Sequence, residues 1–344
     1  MSTKSHTTLT TMKRIALCLI SGLFAIGCLP FFREKDGEFL SEIVNLEQFN
    51  SEFDDYNSNI ASNKSGQTHL LFSSKREKKN FLNLVYFPAE YTYDKMLGLE
   101  KDKSEANPYM DYFLHYQPVR RMAEKANGNF NVFGPKTVSL SRSFYSPPSQ
   151  RDDLLLFYAD DSEGNLEIKY VSYTGGQVQE PAKFDILNSS ADDAYPTFSP
   201  GGDKIYFCSN RDGNFDIYEV SVSVTVPVNM TAEKLVNPEK YTLKKVEELS
   251  GPYDDKCPFI HENKMIFVSN RPEGSGGFDI YESTLANGKW GAPVNLGNRV
   301  NTRYDEYRPI IADTQSFNYN VMIFSSDRPG GKGGFDLYMT GLEY

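Results

Sequence analysis

Apolar positions along this chain fall in short clusters rather than long stripes. Ile205, Tyr206, Phe207 and Cys208 form one cluster; Met265, Ile266, Phe267 and Val268 form a second, and Met322, Ile323 and Phe324 a third. Leu154, Leu155, Leu156 and Phe157, and further upstream Leu70, Leu71 and Phe72, follow the same habit. These runs are rich in β-branched and aromatic residues, are too short for helices, and are bounded by Gly, Asn, Asp or Pro, so they predict strands. Helical patterning is confined to two places. After Pro108, Tyr112, Phe113, Tyr116 and Met122 mix with charges at helical spacing, and Ala232 to Leu235 suits a short helix. The fold class predicted is all-β, with a partly helical insertion.

The clusters recur inside a longer unit. Asp192, Asp193, Ala194, Tyr195 and Pro196 precede the first cluster; Asn210, Arg211, then Gly213, Asn214, Phe215, Asp216, Ile217 and Tyr218 follow it. Asp254, Asp255, Lys256, Cys257 and Pro258 stand before the second, with Asn270, Arg271, then Gly276, Gly277, Phe278, Asp279, Ile280 and Tyr281 after it. Asp305, Glu306, Tyr307, Arg308 and Pro309 open the third, with Asp327, Arg328, then Gly333, Gly334, Phe335, Asp336, Leu337 and Tyr338 after it. Two looser copies lie upstream, one around Asp160 and Asp161, the other with Asp54 and Asp55 before it and Arg76 after it. Tandem units of about four strands predict a five-bladed β-propeller, with room for a sixth blade. The glycine-rich turns are expected to supply positive φ angles for tight hairpins. Val44, Asn45 and Leu46 echo Val294, Asn295 and Leu296. That echo predicts that an N-terminal strand closes the last blade, with 42–48 lying against 335–341, because closure pairs otherwise open edges. Insertions are expected at about 91–127 and 225–245, either functional or covering apolar blade surface.

The string around Ser269, Asn270, Arg271, Pro272, Gly276, Gly277, Phe278, Asp279, Ile280 and Tyr281, with its counterpart at 325–338, resembles the WD40-like repeats of TolB-type propellers found in lipoproteins of the Bacteroides group. The resemblance is tight over 192–344 and loose before that. It implies an envelope protein that binds partners, without naming one.

The first 27 residues differ from the rest. Lys4, Lys13 and Arg14 precede an apolar run from Ile15 to Gly27, which suits a signal peptide and is too short for a membrane span. Ala25, Ile26, Gly27 and Cys28 resemble a lipobox, which implies cleavage before Cys28, lipid on Cys28, a linker over 28–39 and a propeller over 40–344. The expected address is the outer membrane, by lipid anchor, facing the periplasm or the surface. Removing three of the 36 basic residues leaves 33 against 46 acidic, a net charge near −13. Such a surface repels phosphate backbones, which argues against nucleic acid as a partner. Cys208 and Cys257 are expected as two separate buried thiols, with a disulfide as the alternative.

The candidate rim comprises the acidic pairs Asp54 and Asp55, Asp192 and Asp193, Asp254 and Asp255, and Asp305 and Glu306, together with Arg211, Arg271 and Arg328. Three readings stand for it. Each acid meets its own blade's arginine in a structural corner; or two free carboxylates perform acid/base cleavage of a glycosidic bond; or the oxygens hold a Ca²⁺ ion. No cofactor is otherwise implied: His69, His115 and His261 lack metal-ligand spacing. No Gly-x-Ser-x-Gly elbow or dinucleotide fingerprint occurs. The expected function is a non-catalytic binding scaffold for an envelope protein or glycan, the alternative a carbohydrate-active enzyme using channel-mouth carboxylates.

Overall fold

A computed structural model describes residues 41–62, 68–94, 98–102, 116–141, 152–222, 235–312 and 320–342. Cys28, most of the short helix expected at 232–235, and the start of the helix expected after Pro108 lie outside the described residues. Five antiparallel sheets are present. Blade 1 is β2 (Asp55–Ser62), β3 (Thr68–Ser74), β4 (Asn83–Asp94) and β5 (Gly98–Asp102). Blade 2 is β6 (Val132–Ser141), β7 (Asp152–Asp160) and β8 (Glu167–Thr174), with the short β9 (Gln177–Val178) and β10 (Ala182–Lys183) both on β8. Blade 3 is β11 (Asp193–Phe198), β12 (Lys204–Ser209), β13 (Asp216–Val222) and β14 (Tyr241–Lys245). Blade 4 is β15 (Asp255–His261), β16 (Lys264–Ser269) and β17 (Asp279–Ala286), edged by β18 (Lys289–Trp290) and β19 (Val294–Asn295). Blade 5 is β20 (Glu306–Ala312), β21 (Asn320–Ser326) and β22 (Asp336–Leu342), and its outer strand is β1 (Val44–Asn45) from the other end of the chain. The ring closes as a five-bladed propeller: β2 packs beside β6, β6 beside β11, β11 beside β15, β15 beside β20 and β20 beside β2.

Each middle strand reads as a nearly unbroken apolar run because neighbouring blades cover both its faces. Phe72, Tyr158, Phe207, Phe267 and Phe324 occupy one register position in the five middle strands, each at most 1% exposed. Burying such a ring contributes ~1.5–3 kcal/mol relative to leaving it in water. Within the expected 91–127 insertion, β4 and β5 pair as the outer hairpin of blade 1. The insertion's helix, α1 (Tyr116–Ala126), places Val119, Met122, Ala123 and Ala126 on one face, at the spacing of an amphipathic helix. That face joins Leu71, Leu84, Leu156, Tyr158 and Val171 in one cluster, which seals blades 1 and 2.

The paired glycines of the third-strand turns work differently from expectation. Gly276, Gly277, Gly333 and Gly334 do not have positive φ. They are glycine because the next blade passes too close: a Cβ on Gly276 would strike the Tyr304 and Thr302 carbonyls, and one on Gly333 the Phe53 carbonyl. Positive φ appears elsewhere in these turns, at Gly213 (121°) and Gly330 (96°).

Candidate functional site

The acidic pairs and the arginines form one corner per blade. Arg76, Arg211, Arg271 and Arg328 follow the middle strand by two residues, and each turns back onto the acid at the start of its own inner strand. The ion pairs are Arg76–Asp55 at 2.7 Å, Arg211–Asp193 at 2.7 Å, Arg271–Asp255 at 2.9 Å and Arg328–Glu306 at 2.8 Å. The same guanidinium nitrogens also donate to the carbonyls of Phe49, Leu187, Leu249 and Val300. Each guanidinium lies over two aromatic rings, for example Phe207 and Tyr218 at 5.2 and 4.9 Å. The acids Asp55, Asp193, Asp255 and Glu306 are fully buried.

The first acid of each pair has a second task. Its Oδ1 accepts the backbone N–H of the preceding blade's third-strand turn: Asp54 from Phe335, Asp192 from Leu166, Asp254 from Phe215 and Asp305 from Phe278. Blade 2 uses Asn131 instead, which accepts from Leu82. Every blade is therefore stapled to its predecessor. Blade 2 also lacks the acid–arginine corner, since Val132 stands in the acid's place and Asp160 pairs with Lys169 at 2.9 Å.

A third fivefold device escaped the sequence-based expectations. Asn50, Asn188 and Asn301, five residues before the corner acid, and Asn127 in blade 2 each clamp a third strand through both side-chain amide atoms. Ser250, five residues before the blade 4 acid, makes one such bond, accepting from Ile217 in the third strand of blade 3. The signal was a column of amides at constant spacing from the acids.

The corners do not furnish an acid/base pair, since each acid spends its oxygens on arginine, hydroxyl or backbone donors. Among the described residues no three His, Cys, Asp or Glu side chains converge to hold a metal. Asp255 is the exception in detail. Asp55, Asp193 and Glu306 each also accept from a hydroxyl four residues upstream, Ser51, Ser189 or Thr302. Blade 4 has Gly251 there, so Asp255 Oδ2 has no donor, and burial pushes this carboxyl up to about 6.

Just past each corner the inner strand bulges, and the bulged residue has positive φ in all five blades: Asn57 (61°), Gly134 (56°), Tyr195 (59°), Cys257 (55°) and Arg308 (47°). Bulges re-aim side chains, and here those of Tyr195 and Arg308 reach across the ring. Arg308 of blade 5 is fully buried and reaches the Pro135 carbonyl of blade 2, which is not its neighbour in the ring. Its guanidinium lies 5.3 Å from the centre of the Tyr195 ring of blade 3. Gly134 is required because that Tyr195 ring fills the space a Cβ would take. Lys136 of blade 2 crosses the axis too, its Nζ 4.4 Å from the Phe259 ring of blade 4. Burial lowers the Lys136 pKa to about 7, with Arg308 adding to the effect. Cys208 and Cys257 are buried free thiols, and burial raises the pKa of both.

Partly exposed rings on the inner strands and third-strand turns form a belt. Tyr56 stands 6.5 Å from Phe133 and 5.5 Å from Phe335; Tyr307 stands 6.4 Å from Phe335 and 5.5 Å from Phe278. Lys256 continues the belt, its Nζ 4.1 Å from Phe215 and 5.2 Å from Phe278.

No protein-family model and no curated protein matches the chain. Solved structures do. A thermostable family-43 glycoside hydrolase is 12% identical, with a TM-score of 0.51 over 84% of this chain and 90% of that one. An endo-arabinase from Bacteroides thetaiotaomicron is 12% identical, with a TM-score of 0.50 over 89% of this chain and 98% of its own. An exo-beta-1,3-galactanase from Clostridium thermocellum is 10% identical, with a TM-score of 0.50 over 88% of this chain and 63% of its own. At such identity the likeness is one of fold. The expectation of a non-catalytic binding scaffold is corrected by this finding: the structures named here that share the ring are glycoside hydrolases.

Proposed function

We propose that this chain is a carbohydrate-active propeller that takes a glycan on its aromatic belt. The belt carries the reading. Sugar rings present flat C–H faces that stack on aromatic faces, and the rings of Tyr56, Phe133, Phe215, Phe278, Tyr307 and Phe335 each retain exposed surface, most of them in contact with one another. Pockets that bind small ligands are likewise mostly apolar and aromatic, with a few polar groups that fix orientation. The fold shared with enzymes named for arabinan and galactan supports the same class of ligand. Cleavage by paired carboxylates needs two free groups about 5–5.5 Å or 6.5–9.5 Å apart. The arginine-held corner acids are unsuited to that role, and no step is assigned to them. The full chain, incubated with arabinan and galactan, is expected to bind on affinity gels and to release reducing ends. Phe278→Ala is expected to weaken binding about tenfold. If neither polysaccharide retards the protein and neither is cleaved, the reading fails.

The proposed address is the outer membrane, through lipid on Cys28. Labelling cells with radioactive palmitate should mark the wild-type protein and leave Cys28→Ser unmarked. Equal labelling of the two would refute the anchor.

A further inference from the structure

Among the described residues, the propeller axis holds two basic side chains, Arg308 and Lys136, and no carboxylate paired with either. Arg308 is fully buried, yet among the described residues its guanidinium makes two long hydrogen bonds, 3.4 Å each, to the Pro258 and Pro135 carbonyls. Its Nε has no partner. Lys136, on the strand that carries Pro135, reaches the axis from blade 2 and makes no ion pair among the described residues. The groups facing this pair cannot supply negative charge near neutral pH. Tyr195 and Tyr307 are pushed far above their ordinary values by burial, and the Cys257 thiol is raised to about 11 by burial. The carboxylates nearest in sequence, Asp255 and Glu306, are held by Arg271 and Arg328 in the corners. More unpaired polar atoms share this level of the ring. Asn57 occupies on β2 the bulge position that Arg308 occupies on β20, and both its amide atoms are buried without partners; the Ser58 hydroxyl beside it is also unpaired.

A buried guanidinium with unspent donors is costly to keep without a counter-charge. Its planar fork of N–H groups matches the oxygens of a carboxylate or an oxyanion. We propose that Arg308 and Lys136 form an anion site on the propeller axis, which takes one carboxylate or small oxyanion. Lys136 keeps part of its surface exposed and marks the side from which the anion enters. The anion has two possible sources, a free inorganic ion or the carboxylate of an acidic sugar. The inference stands independently of the belt: neither residue belongs to it, and the test below reads anions rather than neutral glycans.

The test is the melting temperature of the full chain at constant ionic strength held by a bulky sulfonate. Phosphate, sulfate, and glucuronate and galacturonate oligosaccharides are titrated in turn. A saturable rise of several degrees with at least one of them is expected. Lys136→Met should weaken the apparent affinity at least tenfold, and Arg308→Met should abolish the response. Because Arg308→Met removes a buried charge, it should melt no lower than the wild type in anion-free buffer; should it fail to fold, Lys136→Met decides alone. A response to phosphate or sulfate identifies a free ion, and a response to the uronides alone identifies a sugar carboxylate. No saturable response from the wild type, or an unchanged one in Lys136→Met, would overturn the site. Binding of neutral arabinan with no anion response would retain the glycan reading and reject this one.

Discussion

Asp255 differs from its three counterparts by one missing hydroxyl, and the chain thereby runs its own comparison. With Ser51, Ser189 or Thr302 in place, the buried acid accepts a side-chain donor in addition to arginine. With Gly251 there instead, Asp255 is left with an unpaired oxygen, and burial raises its pKa from 3.8 to about 6; burial raises Glu306 too, with the Thr302 hydroxyl acting against it, so the hydroxyl moderates the shift and burial causes it. Between these two values the folded protein keeps a proton that the unfolded chain has lost, so this group makes stability fall as pH rises from about 4 to 6. A Cβ on Gly251 would meet only the Tyr253 ring at 3.6 Å, an ordinary contact. Gly251→Ser is therefore expected to complete the corner, flatten that decline and add about 1 kcal/mol at pH 7. Urea unfolding at pH 4, 5, 6 and 7 would check it; a Ser variant with the wild-type slope would remove the hydroxyl from the explanation.

Among the elements, the strands and their order were legible because a propeller's middle strands are sandwiched and must be apolar over several consecutive residues, as in β12, β16 and β21. The repeat signature itself was carried by something else: the corner residues, Asp-Asp before and Arg after. Blade 2 shows the difference. It keeps β6, β7 and β8 but replaces the corner with Val132 and a Lys169–Asp160 pair, so its motif fades while its strands persist. The outer hairpin of β4 and β5 was read as insertion for the same reason, since no corner marks it. The paired glycines were visible, yet their cause was not. Sequence offers positive φ as the usual reason, whereas the Gly333 site is set by the Phe53 carbonyl, nearly the whole chain away. The bulge residues were the least legible. Asn57, Gly134, Tyr195, Cys257 and Arg308 share a backbone conformation and no side-chain chemistry, so no column of like residues announced the axis on which the anion inference rests.

At the scale of the whole ring, closure joins residues at the two ends of the described chain. Val44 pairs with Met339 and Asn45 with Tyr338, and Leu46 donates to the Leu337 carbonyl at 2.9 Å. The Asn50 side chain then clamps both backbone groups of Leu337, 287 residues away. Asn188 makes the same two bonds to Ile168 across only 20 residues. On loop-closure entropy alone the long connection costs about 2 kcal/mol more than the short one. Closure carries the same fastenings as the blade 2–3 joint, an outer strand (β1), an Asn clamp (Asn50), and the bonds of the acidic pair (Asp54 and Asp55) to the third-strand turn at Phe335, and here they act without a short connecting chain. Losing one clamp leaves a buried N–H and C=O unpaired, about 1–3 kcal/mol in either variant, so Asn50→Ala and Asn188→Ala should destabilise the protein to a similar degree. Their reach should differ. Opening at Asn50 unseals a joint that nothing else in the sequence bridges, so amide hydrogen exchange should quicken in β22 and in β2 together. Opening at Asn188 should stay within β8 and β11, which remain tethered by the short chain between them. If Asn50→Ala quickens exchange in β22 and leaves β2 at its wild-type rate, the two ends are merely adjacent, and the ring draws its stability blade by blade rather than from being closed.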